Sequence, residues 1–438
     1  MRSDDGRPRA ATAVRLGGTP VDAPWRGAAP ARAAPARQGS LREHNLQVVL
    51  ARVVDADPPP SRADIAAATG LTRSAVSALV DRLITAGLVA ELAPVPPQRA
   101  GRPAVPLVPA RRAFAALGAE VNVDYVGVLA LDLAGDVLAR RQVWGDFRGS
   151  DPVTVLARLA AVVEELLAEL VAEPAPGGPP RIAGMGLALP GLVDRVTGPL
   201  RLAPNLGWRD VDVVAILGTH APLTGIAIGL ANEANLAARA EARTAGADRS
   251  FLYVSGEVGI GAAIVLDGEV FFGQHGWSGE LGHTVVDPAG PRCSCGSTGC
   301  LEQYAGKDAL LRSAGLDVAL PIEALRAAAH AGDPGAVAAL ATGGRALGIA
   351  IANFVNLVDV EQIVLGGIYA PLVDHLAPLV TEELGTRVLA APWKQAGVRA
   401  ARSRQDAAMT GAALTVLSTI LTDPAAWVPF DAPPPELG

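Results

Sequence analysis

Cysteine is almost absent from this chain of 438 residues: three occur, all between positions 293 and 300. Three thiols cannot all pair with one another, and reducing compartments disfavour disulfides, so no disulfide framework is expected. Lysine is scarcer still, with only Lys307 and Lys394, and arginine supplies nearly all the positive charge. Aromatic residues make up 4% of the chain, so its cores must be built from Ala, Leu and Val. No run of about 18 apolar residues is free of charge or turn residues, so no membrane span is expected. The N-terminus has no apolar signal-peptide core, and a cytoplasmic location follows as the expectation. Positive net charge is lacking too. A net charge of −7 argues against a wholly basic nucleic-acid binder but leaves room for a small basic module.

What is present suggests two or three domains, since half the residues are apolar and the length is ample. Residues 1–40 are rich in Arg, Pro and Ala and lack periodicity. Such a segment buries too little apolar area to offset its ordering entropy, so it is predicted to be a disordered arm. Periodicity starts near Leu41. Leu46, Val49, Leu50 and Val53 follow helical spacing, and Pro58 to Pro60 close that helix. Ser61 with Asp64 reads as a capping box for a short second helix ending at Gly70. Thr72 caps a third helix, whose buried face is Val76, Leu79, Val80 and Leu83. A proline-rich ribbon follows.

This order predicts a winged helix-turn-helix over 41–110 that binds double-stranded DNA. Thr72, Arg73, Ser74 and Ser77 lie where such a third helix enters the major groove. Arg82 lies further along, in reach of a phosphate or a salt bridge. Arg99 and Arg102, in an Arg-Ala-Gly-Arg-Pro run, resemble arms that enter a narrow minor groove. Arg111 and Arg112 add to the positive charge after the third helix.

From 111 to 438 the texture becomes α/β. FAALGAEVNVDYVGVLALDLAGDVLARRQV reads as a strand meander and VTVLARLAAVVEELLAELVAE as a long amphipathic helix. IAGMGLALPGLVD reads as a buried strand meeting a Pro-Gly turn. Further on stands GELGHTVVDPAGPRCSCGSTGCLEQYAG. His283, Cys293, Cys295 and Cys300 offer one imidazole and three thiolates, a closed tetrahedral set for Zn²⁺. Four protein ligands leave no open position, so the zinc is predicted to be structural.

The Glu-x-Gly-His run, the Cys-x-Cys-Gly-x-x-Gly-Cys run and the Leu-Glu after it resemble the signature of the ROK family of bacterial repressors and sugar kinases. ALPGLVD, APNLGW and DAAMTGAALTVL also match its pattern. The resemblance implies two actin-like, ribonuclease-H-type α/β lobes after the DNA head, with a sugar or sugar phosphate bound between them. It places Asn232, Glu233, Glu280, His283 and Glu302 on the sugar hydroxyls. Carboxylates accept from neighbouring hydroxyls on both oxygens, and zinc on one nitrogen of His283 would fix the ring so that the other faces the sugar.

The family's kinases use a general-base Asp and an Asp-x-Gly-Gly-Thr phosphate loop. Here Glu233 stands in place of that Asp, and the loop reads Glu120-Val121-Asn122-Val123-Asp124, without Gly-Gly or Thr. Backbone amides in such a loop cannot approach a phosphate closely. The expectation is a sugar-responsive regulator, more repressor than activator, acting as a homodimer or homotetramer and not as an enzyme. A sugar kinase with an appended DNA head is the alternative.

Overall fold

The computed structural model describes residues 38–94, 104–173, 177–194, 198–246, 248–403 and 406–428. The predicted arm thus lies outside the described residues except at Gln38 to Ser40, which begin the first helix. Three helices open the chain: α1 (Gln38–Asp55), α2 (Arg62–Thr69) and α3 (Arg73–Thr85). Leu46, Val49, Leu50 and Val53 are buried with Ile65 and with Val76, Val80 and Leu83, the faces that the periodicity predicts.

Local chemistry sets the helix ends. The Ser61 hydroxyl accepts the Asp64 amide at 3.3 Å, and the Asp64 carboxylate accepts the Ser61 amide at 2.9 Å. These two bonds close a reciprocal capping box. Thr72 accepts the Ala75 amide at 3.2 Å and so starts α3. Strands β1 (Val89–Glu91) and β2 (Leu107–Pro109) pair antiparallel as the wing. Arg62 braces the unit, donating to Asp81 on α3 at 2.6 Å and to Glu91 on β1.

The first lobe begins with β3 (Phe114–Val121), β4 (Tyr125–Asp132) and β5 (Val137–Trp144), then α4 (Pro152–Ala172) and β6 (Arg181–Leu189). A small sheet of β7 (Leu192–Val193), β8 (Leu200–Ala203) and β9 (Trp208–Val211) follows, then α5 (Val213–Gly218), β10 (Ile228–Asn232) and α6 (Glu233–Thr244). The main sheet runs β10-β6-β3-β4-β5, with β3, β4 and β5 antiparallel and β3, β6 and β10 parallel.

The second lobe repeats this plan. It contains β11 (Phe251–Gly256), β12 (Ile260–Leu266), β13 (Glu269–Phe271), α7 (Glu302–Ala305), α8 (Lys307–Ser313) and α9 (Ile322–His330). Then come α10 (Pro334–Val358), β14 (Gln362–Gly367), α11 (Val373–Arg387) and β15 (Gly397–Ala400). Its sheet runs β13-β12-β11-β14-β15, again three antiparallel strands followed by two parallel ones. By length and composition alone α10 could cross a bilayer. In the fold its Leu340, Leu347 and Ile351 lie in the core of the second lobe.

The last helix, α12 (Ala407–Thr422), returns to the first lobe and joins everything. Gly118 on β3 lies against the Met409 carbonyl, where a Cβ would overlap the oxygen. Gly411 on α12 likewise faces the Leu236 carbonyl of α6. Further along α12, Leu414, Leu417 and Ile420 share one core with Leu50 and Val53 of α1 and with Leu129 and Leu131 of β4. The DNA head is therefore packed onto the first lobe through α12.

Gly118→Ala or Gly411→Ala forces a methyl into backbone that has no rotamer to yield. Chemical denaturation should show a loss of about 1–3 kcal/mol or more. Unchanged stability would mean that α12 does not dock this closely.

Candidate functional site

β10 ends at Asn232 and α6 begins at Glu233, at the boundary between the lobes. Asn232 caps α6, its Oδ1 accepting the amides of Ala234 and Asn235 at 2.9 and 3.3 Å. Its Nδ2 donates to Glu233 Oε2 at 2.8 Å and to the Gly191 carbonyl at 3.2 Å. The second lobe faces this corner with the Glu257–Gly259 turn, with Glu280 and His283, and with Glu302 at the start of α7.

Together these elements line a cavity of about 60 Å³ that includes Asn205, Asn232, Glu233, Glu280, His283 and Glu302. At about 30 Å³ per water that space holds on the order of two waters. The five residues that the sequence singles out thus meet at one cavity. Asn205 joins them. It lies within the APNLGW run, yet nothing in its local pattern marks it. A Cβ on Gly259 would sit 2.6 Å from Glu302 Oε2 and 2.8 Å from Asn205 Nδ2, so both side chains crowd that glycine.

The cleft is acidic. Burial raises the Glu233 carboxyl well above the usual range, and the charges of Glu280, Glu120 and Glu257 add to it. Burial raises Glu280 and Glu302 as well, although the Ile260 amide donates to Glu302 at 3.3 Å. Glu120 is pushed up to about 7, chiefly by burial. Glu257 is pushed up to about 8, first by burial and then by the charges of Glu120 and Asp124. Such carboxyls can donate as well as accept. Among the described residues, neither lysine nor arginine lines the cavity. The cation behind it, Lys307, donates to Asp124 at 3.1 Å, and Arg148 lies 3.3 Å from the same carboxylate.

Beside the cleft, the ligand atoms of His283, Cys293, Cys295 and Cys300 all lie within 4.8 Å of one another. Cys293 Sγ is 3.8 Å from His283 Nδ1, and Cys295 Sγ is 3.7 Å from Cys300 Sγ. A tetrahedron with zinc–sulfur bonds of about 2.3 Å has edges of about 3.8 Å, so this donor set fits Zn²⁺. Gly299 permits the loop: its φ is +72°, and a Cβ would overlap the Asp287 carbonyl. Nδ1 of His283 faces the sulfurs while the residue lines the cleft, which leaves Nε2 for a ligand.

On the head, Thr72, Arg73 and Ser74 are exposed at the start of α3, Ser77 is half-exposed and Arg82 is half-buried. Thr72 also carries the cap described above. Arg99 and Arg102 lie outside the described residues. Arg111 and Arg112 are engaged by Asp136 and Glu173 at 3.4 and 2.9 Å. The positive cluster expected after the third helix is smaller by these two, which pair with acids of the first lobe.

Fold and site define a class: a winged-helix head on duplicated actin-like α/β lobes, with a carboxylate-rich cleft and a Cys₃His corner. The chain belongs to the ROK family, whose profile matches residues 116–419, and the MarR family profile matches residues 45–100. It is 29% identical over 366 residues to the xylose repressor of Bacillus subtilis, covering 83% of this chain and 91% of that one. Among solved structures it resembles a ROK family transcriptional regulator described as a homologue of the Escherichia coli MLC protein. That likeness has a TM-score of 0.72 at 29% identity, over 89% of this chain and 99% of the other. A ROK hexokinase from Thermus thermophilus matches at 29% identity with a TM-score of 0.56, over 70% of this chain and 99% of that one.

Two expectations follow. Purified protein should carry one zinc per chain by metal analysis, and Cys295→Ser should lose it together with thermal stability. A full zinc complement in that variant would contradict the assignment. Glu120 and Glu257 have folded pKa values above those of free carboxylates, so the folded state retains protons that the unfolded chain has released. Stability should therefore fall as pH rises from the ordinary carboxylate range to about 8. Glu257→Gln should raise the melting temperature at pH 8 and change it little at pH 5; an equal effect at both would contradict the assignment.

Proposed function

We propose that this protein is a transcriptional repressor of sugar-metabolism genes whose effector is an uncharged sugar bound between the lobes. The observation that carries this reading is one of continuity. The first residue of α6 lines the cleft, α6 packs on α12, and α12 shares a core with the DNA head. A sugar that prefers one lobe arrangement therefore acts on the head through packed elements. The likeness to a xylose repressor supports the same assignment.

In this reading the DNA head extends to about residue 110 and the lobes from 111 onward, and the protein binds a palindromic operator in the cytoplasm as a dimer or tetramer. Arg73, Ser74 and Ser77 face base edges, while Thr72 and Arg82 serve the backbone. Arg99 and Arg102 serve an adjoining minor groove. Asn205, Asn232, Glu233, Glu280, His283 and Glu302 hold sugar hydroxyls. The zinc is structural and orients His283.

The effector is uncharged because no lysine or arginine lines the cavity to pair with a phosphate, and a buried, unpaired phosphate monoester is costly. The hexokinase likeness makes phosphoryl transfer the alternative. Against it, Asp124 lies in the segment where a phosphate loop is needed and holds Lys307. Glu233 is longer by one methylene than the Asp expected as base.

Fluorescence anisotropy on duplex DNA from the gene's own upstream region tests this, with D-xylose, D-glucose and glucose 6-phosphate added in turn. Arg73→Ala should weaken operator binding by about tenfold or more. Glu302→Gln should bind DNA normally but ignore the sugar that releases the wild type. Glucose 6-phosphate should release nothing. Release by the phosphate, or sugar response intact in Glu302→Gln, would refute the cleft assignment. Steady ADP formation with either free sugar would favour the kinase.

A further inference from the structure

A second cavity, of about 200 Å³, lies away from the sugar cleft, where the head and both lobes meet. Its walls come from five places: Val54 at the end of α1, the β4–β5 turn from Asp132 to Gly135, α6, the Gly268–Val270 hairpin of the second lobe, and α12. At about 30 Å³ per water the space would hold on the order of seven waters, the size of a small organic ligand. Much of the lining is apolar, chiefly Leu414, Leu417 and Leu421 of α12 with Val54 and Leu133.

Two arginines one helical turn apart on α6, Arg239 and Arg243, also line it. The Arg239 guanidinium has neither a hydrogen bond nor an ion pair among the described residues. Burial pulls its pKa down, opposed only by the charge of Glu269. Arg239 is half-buried, so its charge is only partly hydrated and lacks a partner, and an anion placed there would stabilise it. The acids nearby do not supply one. Asp132 is consumed by the backbone amides of Arg112, Ala134 and Asp136, at 3.0, 3.0 and 2.9 Å. Glu269 is exposed on the hairpin.

We propose that this junction is a second ligand site, taking a small organic acid whose carboxylate pairs with Arg239 and whose apolar body lies on α12. Arg243 is the second cation, nearer the rim. The cavity touches the head, both lobes and the two helices that connect them. Its occupant therefore binds one arrangement of head and lobes better than others and shifts the same equilibrium as the sugar. That regulatory consequence rests on the repressor reading; the binding itself does not.

Calorimetry on the zinc-loaded full chain tests the site, with benzoate as the probe and benzamide as its neutral counterpart. Benzoate should bind at least about tenfold more tightly than benzamide, a difference of about 1.4 kcal/mol. Arg239→Gln should abolish that preference. Because Arg239 is half-buried and unpaired, its removal should not unfold the protein. Ser418→Trp, which fills the cavity from α12, should block both ligands. Equal binding of benzoate and benzamide, benzoate affinity unchanged in Arg239→Gln, or no benzoate heat with the wild type would each overturn the proposal. Because none of these readouts uses DNA or sugar, they stand or fall independently of the repressor assignment.

Discussion

The close docking of α12 is the constraint on which the rest of the structure depends. Helix backbone meets strand backbone at Gly118 and helix meets helix at Gly411, with no side chain between them. Contact at that distance leaves little freedom to slide, since packed interiors transmit displacement instead of absorbing it. The same helix presents Leu414, Leu417 and Ile420 to the DNA head. Head, first lobe and α6 are held by one element, and the cleft ends at the first turn of α6. A change in lobe arrangement cannot leave the head untouched unless α12 comes loose.

Features that depend on near neighbours were legible in the sequence. Three of the four residues of the Cys₃His cluster lie within eight residues, and the Ser61–Asp64 and Thr72 caps act over three residues, so their geometry is nearly determined by spacing. The buried faces of α1 and α3 follow from helical periodicity. The resemblance to the ROK family then brought Asn232, Glu233, Glu280, His283 and Glu302 to one cavity, which spacing alone could not do across 70 residues.

Features created by distant pairs were not legible. Arg111 and Arg112 look like part of a basic DNA-binding surface until Asp136 and Glu173 come to meet them. Lys307 and Asp124 are 183 positions apart, and only the folded chain brings them together. Asn205 is an ordinary turn residue until Gly259 lets it approach Glu302. The duplicated topology leaves no mark because each lobe fills the same plan with different side chains and inserts different segments: a small sheet in the first, the cysteine corner and three helices in the second.

In the proposed mechanism the cleft and the head form one linked system, and linkage is reciprocal: if sugar weakens DNA binding by some factor, DNA must weaken sugar binding by the same factor. The most direct measurement is the affinity for the releasing sugar, taken once on the free protein and once on the operator complex. The account requires the second affinity to be lower, by the same factor by which saturating sugar lowers the affinity for DNA. Equal sugar affinities in the two states would contradict it, because the packed path through α6 and α12 would then carry no coupling.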